Sequence, residues 1–215
     1  MALDLDSPIV KSLIPKIGVV TSTALYFSPL MAVLSAKMSG NIGDLNPIPL
    51  AIMAISSVCW LAYGLSIRDP YVTLSNVPGA VATIWYIVSI LPLLASNQLV
   101  TTQRILVALS AVTINLWTYL SLTRKPLGGI QRSLGMYASG LFIILSGSPL
   151  STIGTVLRTR SSKSILAPLT VAQVSNTALW STYGLAINDK FVYGPNLAGL
   201  CFGLIQLLLK VFFPS

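Results

Sequence analysis

The 215-residue chain matches itself when shifted by 120 positions. At that offset Ser28, Pro29 and Leu30 fall on Ser148, Pro149 and Leu150. Trp60, Tyr63, Gly64, Leu65, Ile67 and Asp69 fall on Trp180, Tyr183, Gly184, Leu185, Ile187 and Asp189, and Val72, Asn76 and Gly79 fall on Val192, Asn196 and Gly199. The match needs no gap. Residues as rare as Trp and Asn do not coincide this way by chance, so the chain holds two copies of one structural unit.

Hydropathy says what the unit is. A helix that crosses a bilayer needs about 20 mostly apolar residues. Seven runs qualify: Ile17 to Ala36, Ile48 to Ile67, Tyr71 to Leu94, Ile105 to Leu122, Leu134 to Leu157, Ile165 to Ile187, and Phe191 to Phe213. Apart from Lys210, near an end where its stem can snorkel, none contains Lys, Arg, Asp or Glu. The links between them are short and hold turn-formers and charges, as at 37–41 and 158–163. Each copy has three runs and so crosses an odd number of times; the unpaired fourth run restores the second copy to the orientation of the first.

The sequence therefore predicts an all-α, multi-pass integral membrane protein, of the plasma membrane or an internal one. Its seven transmembrane helices form two parallel three-helix-bundle repeats joined by a linker helix. Residues 1–96 are the first repeat, 97–130 the linker helix and its loop, and 131–215 the second repeat. Transporters built from such repeats hold substrate between the copies near the bilayer midplane and alternate access by rocking one copy against the other.

Composition closes off other classes. With 54% hydrophobic and 8% charged residues, and a mean hydropathy of +0.81, the chain is far from soluble usage. It has no His, its five acidic residues are all Asp, and its two Cys lie inside apolar runs. We therefore expect no enzyme chemistry, cofactor, metal site or disulfide. The net charge of +8 is scattered through the links, which argues against a nucleic-acid partner and for the bilayer. The charges divide almost evenly between the two sides, so the positive-inside rule sets no orientation. No cleavable leader is expected, since the first apolar run is long enough to span.

The candidate functional residues are the repeated polar and aromatic ones. An amide facing lipid would be unsatisfied, so Asn76 and Asn196 must face protein or a wet cavity. They either join helices or, as paired donors and acceptors, bind a neutral polyhydroxylated solute. Trp60 and Trp180 sit about two turns before their runs end, roughly 10 Å inside. There an indole can stack on a sugar ring rather than belong to an interfacial belt. Ser56 and Asn176 are one turn earlier on the same face, where they add hydrogen-bonding groups or bond their own backbone. Pro29, Pro49 and Pro149 lie in or at the start of runs and mark hinges or static kinks. Tyr63, Tyr183, Asp69 and Asp189 gather at the run ends, where a Tyr to Asp hydrogen bond would close a mouth. No intramembrane acid, His or Arg offers a proton relay, which favours passive movement of a neutral solute.

These residues, with 148–161, 180–189 and 194–199 and their first-half counterparts, resemble the SWEET (MtN3/saliva) family over nearly the whole chain. The resemblance implies a sugar uniporter mediating facilitated, bidirectional diffusion of glucose, fructose or sucrose class substrates, in a family where homo-oligomers are frequent. It also implies a pocket lined by Asn76, Asn196, Trp60, Trp180, Ser56 and Asn176, with Leu25 and Leu145 as a size-selecting wall one turn before Pro29 and Pro149. Family hinge prolines match at Pro29, Pro49 and Pro149; the fourth is replaced by Leu166, with Pro168 two residues on. The acid usual after the basic stretch of the fifth loop is absent, with Ser162, Lys163 and Ser164 there instead. Because the chain ends just past the seventh run, no partner-binding tail is expected.

Two other readings stand beside this one. A carrier of an amino acid or organic acid of the PQ-loop kind would be expected to show an ionisable residue in the pocket or a Pro-Gln pair after each kink, but Leu30 and Leu150 follow these prolines. A seven-helix receptor that does not transport has no need of two superposable halves.

Overall fold

The computed structural model describes residues 4–123 and 125–214. Among them the regular structure is helical: α1 (Ile14–Phe27), α2 (Leu30–Ser39), α3 (Pro47–Ile67), α4 (Pro70–Ile90), α5 (Ser96–Leu122), α6 (Leu127–Leu145), α7 (Gly147–Thr159), α8 (Ala167–Ala186) and α9 (Lys190–Phe212). A wide π turn, Ile9–Leu13, leads into α1, and a 3-10 turn, Leu91–Leu93, follows α4. The pairs α1/α2 and α6/α7 are each one broken spanning helix, so the seven predicted spans are present.

Six of the spans are long and apolar enough to cross a membrane by composition alone: Ile9–Ser39, Pro47–Ile67, Pro70–Leu93, Ser96–Leu122, Leu127–Thr159 and Lys190–Phe212. The remaining one, α8, is 20 residues long. Its Thr170, Gln173, Ser175, Asn176, Thr177, Ser181 and Thr182 dilute its apolar character. The first span begins eight residues before the predicted start at Ile17. Helix continues through Lys11 and Lys16, and Lys11 Nζ pairs with Asp6 Oδ1 at 2.8 Å. That bond and the Lys11 charge hold the Asp6 carboxyl below its ordinary range.

Helix ends repeat as the sequence does. Asp69 caps α4 by accepting from Tyr71 N at 2.8 Å and Val72 N at 3.0 Å; Asp189 caps α9 by accepting from Phe191 N at 2.9 Å and Val192 N at 3.3 Å. Asn46 caps α3 through Ile48 N, with Pro47 in the first helical place, where a missing N–H costs nothing. Left-handed residues close the helices at equivalent positions, Gly40 (φ 67°) with Arg160 (φ 54°) and Arg68 (φ 57°) with Asn188 (φ 53°).

The chain forms two compact units, residues 22–141 and residues 1–21 with 142–215. The cuts fall inside α1 and α6, at positions the 120-residue offset makes equivalent. In the unit of 22–141, α3 and α4 pack as an antiparallel pair beside α2 and α5. Its core is Val33, Leu50, Ala51, Ala82, Tyr86, Ile87 and Ile90, with Ile105 and Leu106 of the linker helix α5 against it. A polar seam ties α5 in: Thr113 Oγ1 lies 3.1 Å from Tyr137 Oη and 3.9 Å from Cys59 Sγ.

In the other unit α8 and α9 are the antiparallel pair, with α7 beside α9. The link after α7 is held by α9: Ser162 N donates to Phe213 O at 3.2 Å and Lys210 Nζ to Ser162 O at 3.5 Å.

One close approach is common to both pairs. A Cβ at Gly64 would meet the Thr73 backbone nitrogen at 2.7 Å, and one at Gly184 would meet that of Tyr193 at 2.6 Å. Backbone cannot swing aside, so a methyl group there must part the helices. Gly184→Ala is expected to destabilise the protein by about 1–3 kcal/mol, read as a lower unfolding temperature in detergent. Gly140→Ala, with open space at its Cβ, should leave that temperature unchanged.

Candidate functional site

In the unit of 22–141, Ser56 and Trp60 lie one turn apart on α3, and Asn76 lies on α4. Trp60 is seven residues before the end of α3 and Asn76 six after the start of α4. At 1.5 Å per residue both are about 10 Å from the turn that joins the helices. In the other unit Trp180 is six residues before the end of α8 and Asn196 six after the start of α9. The indole and the amide thus share one depth in each pair.

Trp60 and Trp180 are 8% and 6% exposed, against 37% for Trp85 and 43% for Trp117. The first two are interior residues; the last two have the exposure of an interfacial belt. Each interior indole meets a tyrosine edge-on, Trp60 with Tyr63 at 5.7 Å and Trp180 with Tyr183 at 5.9 Å between ring centroids. Tyr63 and Tyr183 are buried.

The amides are fixed alike at one end. Asn76 Nδ2 donates to Val72 O at 2.9 Å and Asn196 Nδ2 to Val192 O at 2.8 Å. Their oxygens differ: Asn76 Oδ1 accepts from Tyr26 Oη at 2.9 Å, whereas Asn196 Oδ1 has no hydrogen-bond partner among the described residues. Ser56 is buried, and its hydroxyl likewise has no partner among them. Asn176 Oδ1 accepts from Thr21 Oγ1 at 2.7 Å. One turn along α8, a Cβ at Gly18 would stand 3.1 Å from the Trp180 ring, so the first span runs close to that indole.

The groups so arranged are neutral donors, acceptors and flat apolar faces. They suit an uncharged solute with many hydroxyls, and they supply no proton relay.

The family model for a sugar efflux transporter for intercellular exchange, the MtN3/saliva family, matches this chain twice, over residues 12–98 and 132–215. The chain belongs to that family. The two matches begin at the repeat offset, so each copy is one family unit. Among curated relatives, the chain is 27% identical over 197 residues to the sugar transporter SWEET1 of Caenorhabditis elegans, covering 92% of this chain and 64% of that protein. It is 28% identical over 200 residues to the bidirectional sugar transporter SWEET13 of Oryza sativa subsp. japonica, covering 92% and 67%. Among solved structures, that of a eukaryotic SWEET transporter at 3.7 Å resolution matches with a TM-score of 0.84 at 23% identity, covering 95% of this chain and 97% of that one. This likeness carries the fold: seven helices as two three-helix repeats and a linker in an integral, multi-pass membrane protein.

The remaining positions that a SWEET resemblance implied fall as follows. Pro29 stands at the break between α1 and α2, and Pro149 in the first turn of α7, just after the break at Ser146. Pro49 is the third residue of α3 and Pro168 the second of α8. A proline in a first turn removes no intrahelical bond, so these two leave their helices unbroken. Leu25 and Leu145 are half-buried, each in the last turn before its break. Asp69 and Asp189 each have one carboxylate oxygen engaged in a helix cap.

Sequence reasoning missed Tyr26, Thr21 and Gly18, which contact Asn76, Asn176 and Trp180. It also missed Pro78 inside α4 and Pro195 inside α9, which interrupt the hydrogen-bond ladder beside each amide. The prolines were visible as interior prolines two residues after Asn76 and one before Asn196.

Proposed function

We propose that this SWEET family member is a sugar carrier, moving mono- or disaccharides in either direction by facilitated diffusion and alternating access. The observation that carries the reading is the pairing of a buried indole with an amide at one depth in both repeats, in spans that hold no charged group there. The names of the relatives, sugar transporter and bidirectional sugar transporter, support the substrate class. In this reading Asn76, Asn196, Ser56 and Asn176 bond sugar hydroxyls, Trp60 and Trp180 stack on the ring, and Leu25 and Leu145 limit its size. Pro29 and Pro149 serve as hinges at the breaks in the first helix of each repeat, and Tyr63, Tyr183 and Asp189 serve at a gate.

Sugar hydroxyls are neutral and the residues proposed to bind them are amides, a serine, indoles and leucines, so transport should be uncoupled. Labelled glucose or sucrose should equilibrate into proteoliposomes at the same rate and to the same level with and without an imposed pH or sodium gradient. Uptake above the external concentration, driven by either gradient, would replace the uniporter with a coupled carrier.

A further inference from the structure

The two repeats are equal in their amides but not in what touches them. Tyr26 is held to α4 three times. Its hydroxyl donates to Asn76 Oδ1 at 2.9 Å, its ring fills the space that a Cβ at Gly79 would occupy, and its carbonyl accepts from Tyr86 Oη at 3.0 Å. At the repeat offset these positions become Ser146, Asn196, Gly199 and Gln206. Ser146 Oγ donates to Phe142 O of its own helix at 3.0 Å. The space at Gly199 is filled by Thr177 and Phe142 instead, and Gln206 Nε2 reaches Pro149 O at 3.3 Å. Among the described residues of the second repeat, no side chain replaces the tyrosine hydroxyl.

Both Nδ2 groups are engaged by a carbonyl four residues back. Asn76 Nδ2 also donates to Ser75 Oγ at 3.1 Å, but the acceptor oxygen is engaged by another helix in one half and has no partner among the described residues in the other.

We propose that Tyr26 is a positioning residue that latches Asn76, so that Asn196 is the amide open to sugar and Asn76 engages only after the phenol releases it. This rests on the sugar-carrier reading. A sugar hydroxyl donating to Asn76 Oδ1 must exchange with a phenol already donating there, whereas at Asn196 it meets an oxygen with no partner among the described residues. The latch also fixes the first span beside its proline break, since Tyr26 lies three residues before Pro29. Release of the hydroxyl is thereby linked to movement of that span.

The test is a double-mutant cycle in proteoliposomes, reading KM and maximal rate for labelled glucose or sucrose, with unfolding temperature in detergent for every variant. Tyr26→Phe keeps the ring against Gly79 and removes the hydroxyl. It should lower KM about three- to tenfold, the range of one neutral hydrogen bond. Asn76→Ala should raise KM more in the Tyr26→Phe background than in the native one. In the otherwise native chain, Asn196→Ala should raise KM at least about threefold more than Asn76→Ala, a comparison that does not depend on the tyrosine variant folding.

Equal effects of the two alanine variants overturn the latch. So does Tyr26→Phe with native unfolding temperature and an unchanged or higher KM. In those cases the wild type still carries sugar and only the latch fails; a folded wild type that moves neither sugar removes the carrier reading and the latch together.

Discussion

Asn196→Ala is expected to reduce sugar flux at sub-saturating concentration by about 10- to 100-fold while leaving the fold intact. The amide oxygen has no partner among the described residues, and the Nδ2 bond is to a carbonyl of its own helix, Val192 O. Removal therefore orphans no buried partner, and the stability cost should be small. For a bound sugar the loss is one acceptor and one donor, about 1–3 kcal/mol for two neutral hydrogen bonds. The check is the initial rate of labelled glucose and sucrose uptake alongside the unfolding temperature. A variant with native unfolding temperature and native flux would show that this amide does not bind the substrate.

Trp180→Ala is expected to act on stability and transport at once. The side chain is buried against Gly18 and meets Tyr183 edge-on, so truncation leaves a large void and costs about 3–5 kcal/mol. A marked drop in unfolding temperature should accompany loss of flux. Trp180→Phe separates the two roles, since it keeps an aromatic face and most of the volume. It should recover most of the stability but only part of the transport, with KM raised several-fold because a smaller ring covers less of the sugar. Full recovery of flux with Phe would mean that the larger indole face is not needed to cover the sugar.

The repeat, the spans and the breaks at Pro29 and close to Pro149 were legible because bilayer length, missing N–H groups and identical residues leave direct marks in a sequence. Span starts were less so. Lys11 and Lys16 end an apolar count, yet a long ammonium stem near a span end is compatible with helix, and Asp6 pairs with Lys11. The low hydropathy of α8 comes from Asn176, Thr177 and Ser181, residues buried or half-buried in the protein.

The candidate site stood out in the sequence mainly where the copies agree. Asn76 with Asn196 and Trp60 with Trp180 stood out because they recur. Tyr26 and Thr21 fall on Ser146 and Leu141, so a search for identity passes over them, although they bond two of the candidate amides. The membership of residues 1–21 in a unit with 142–215 depends on which helices pack together. Apolar periodicity carries little of that in spans that are apolar all round.

The most direct test of the central claim is counterflow. Proteoliposomes holding the wild-type protein are preloaded with a high concentration of unlabelled glucose or sucrose and diluted into a trace of the labelled sugar, with no ion gradient. A bidirectional carrier predicts a transient accumulation of label above its external concentration, absent from vesicles without protein and strongly reduced by Asn196→Ala. No accumulation of either sugar by folded, reconstituted protein would contradict the account.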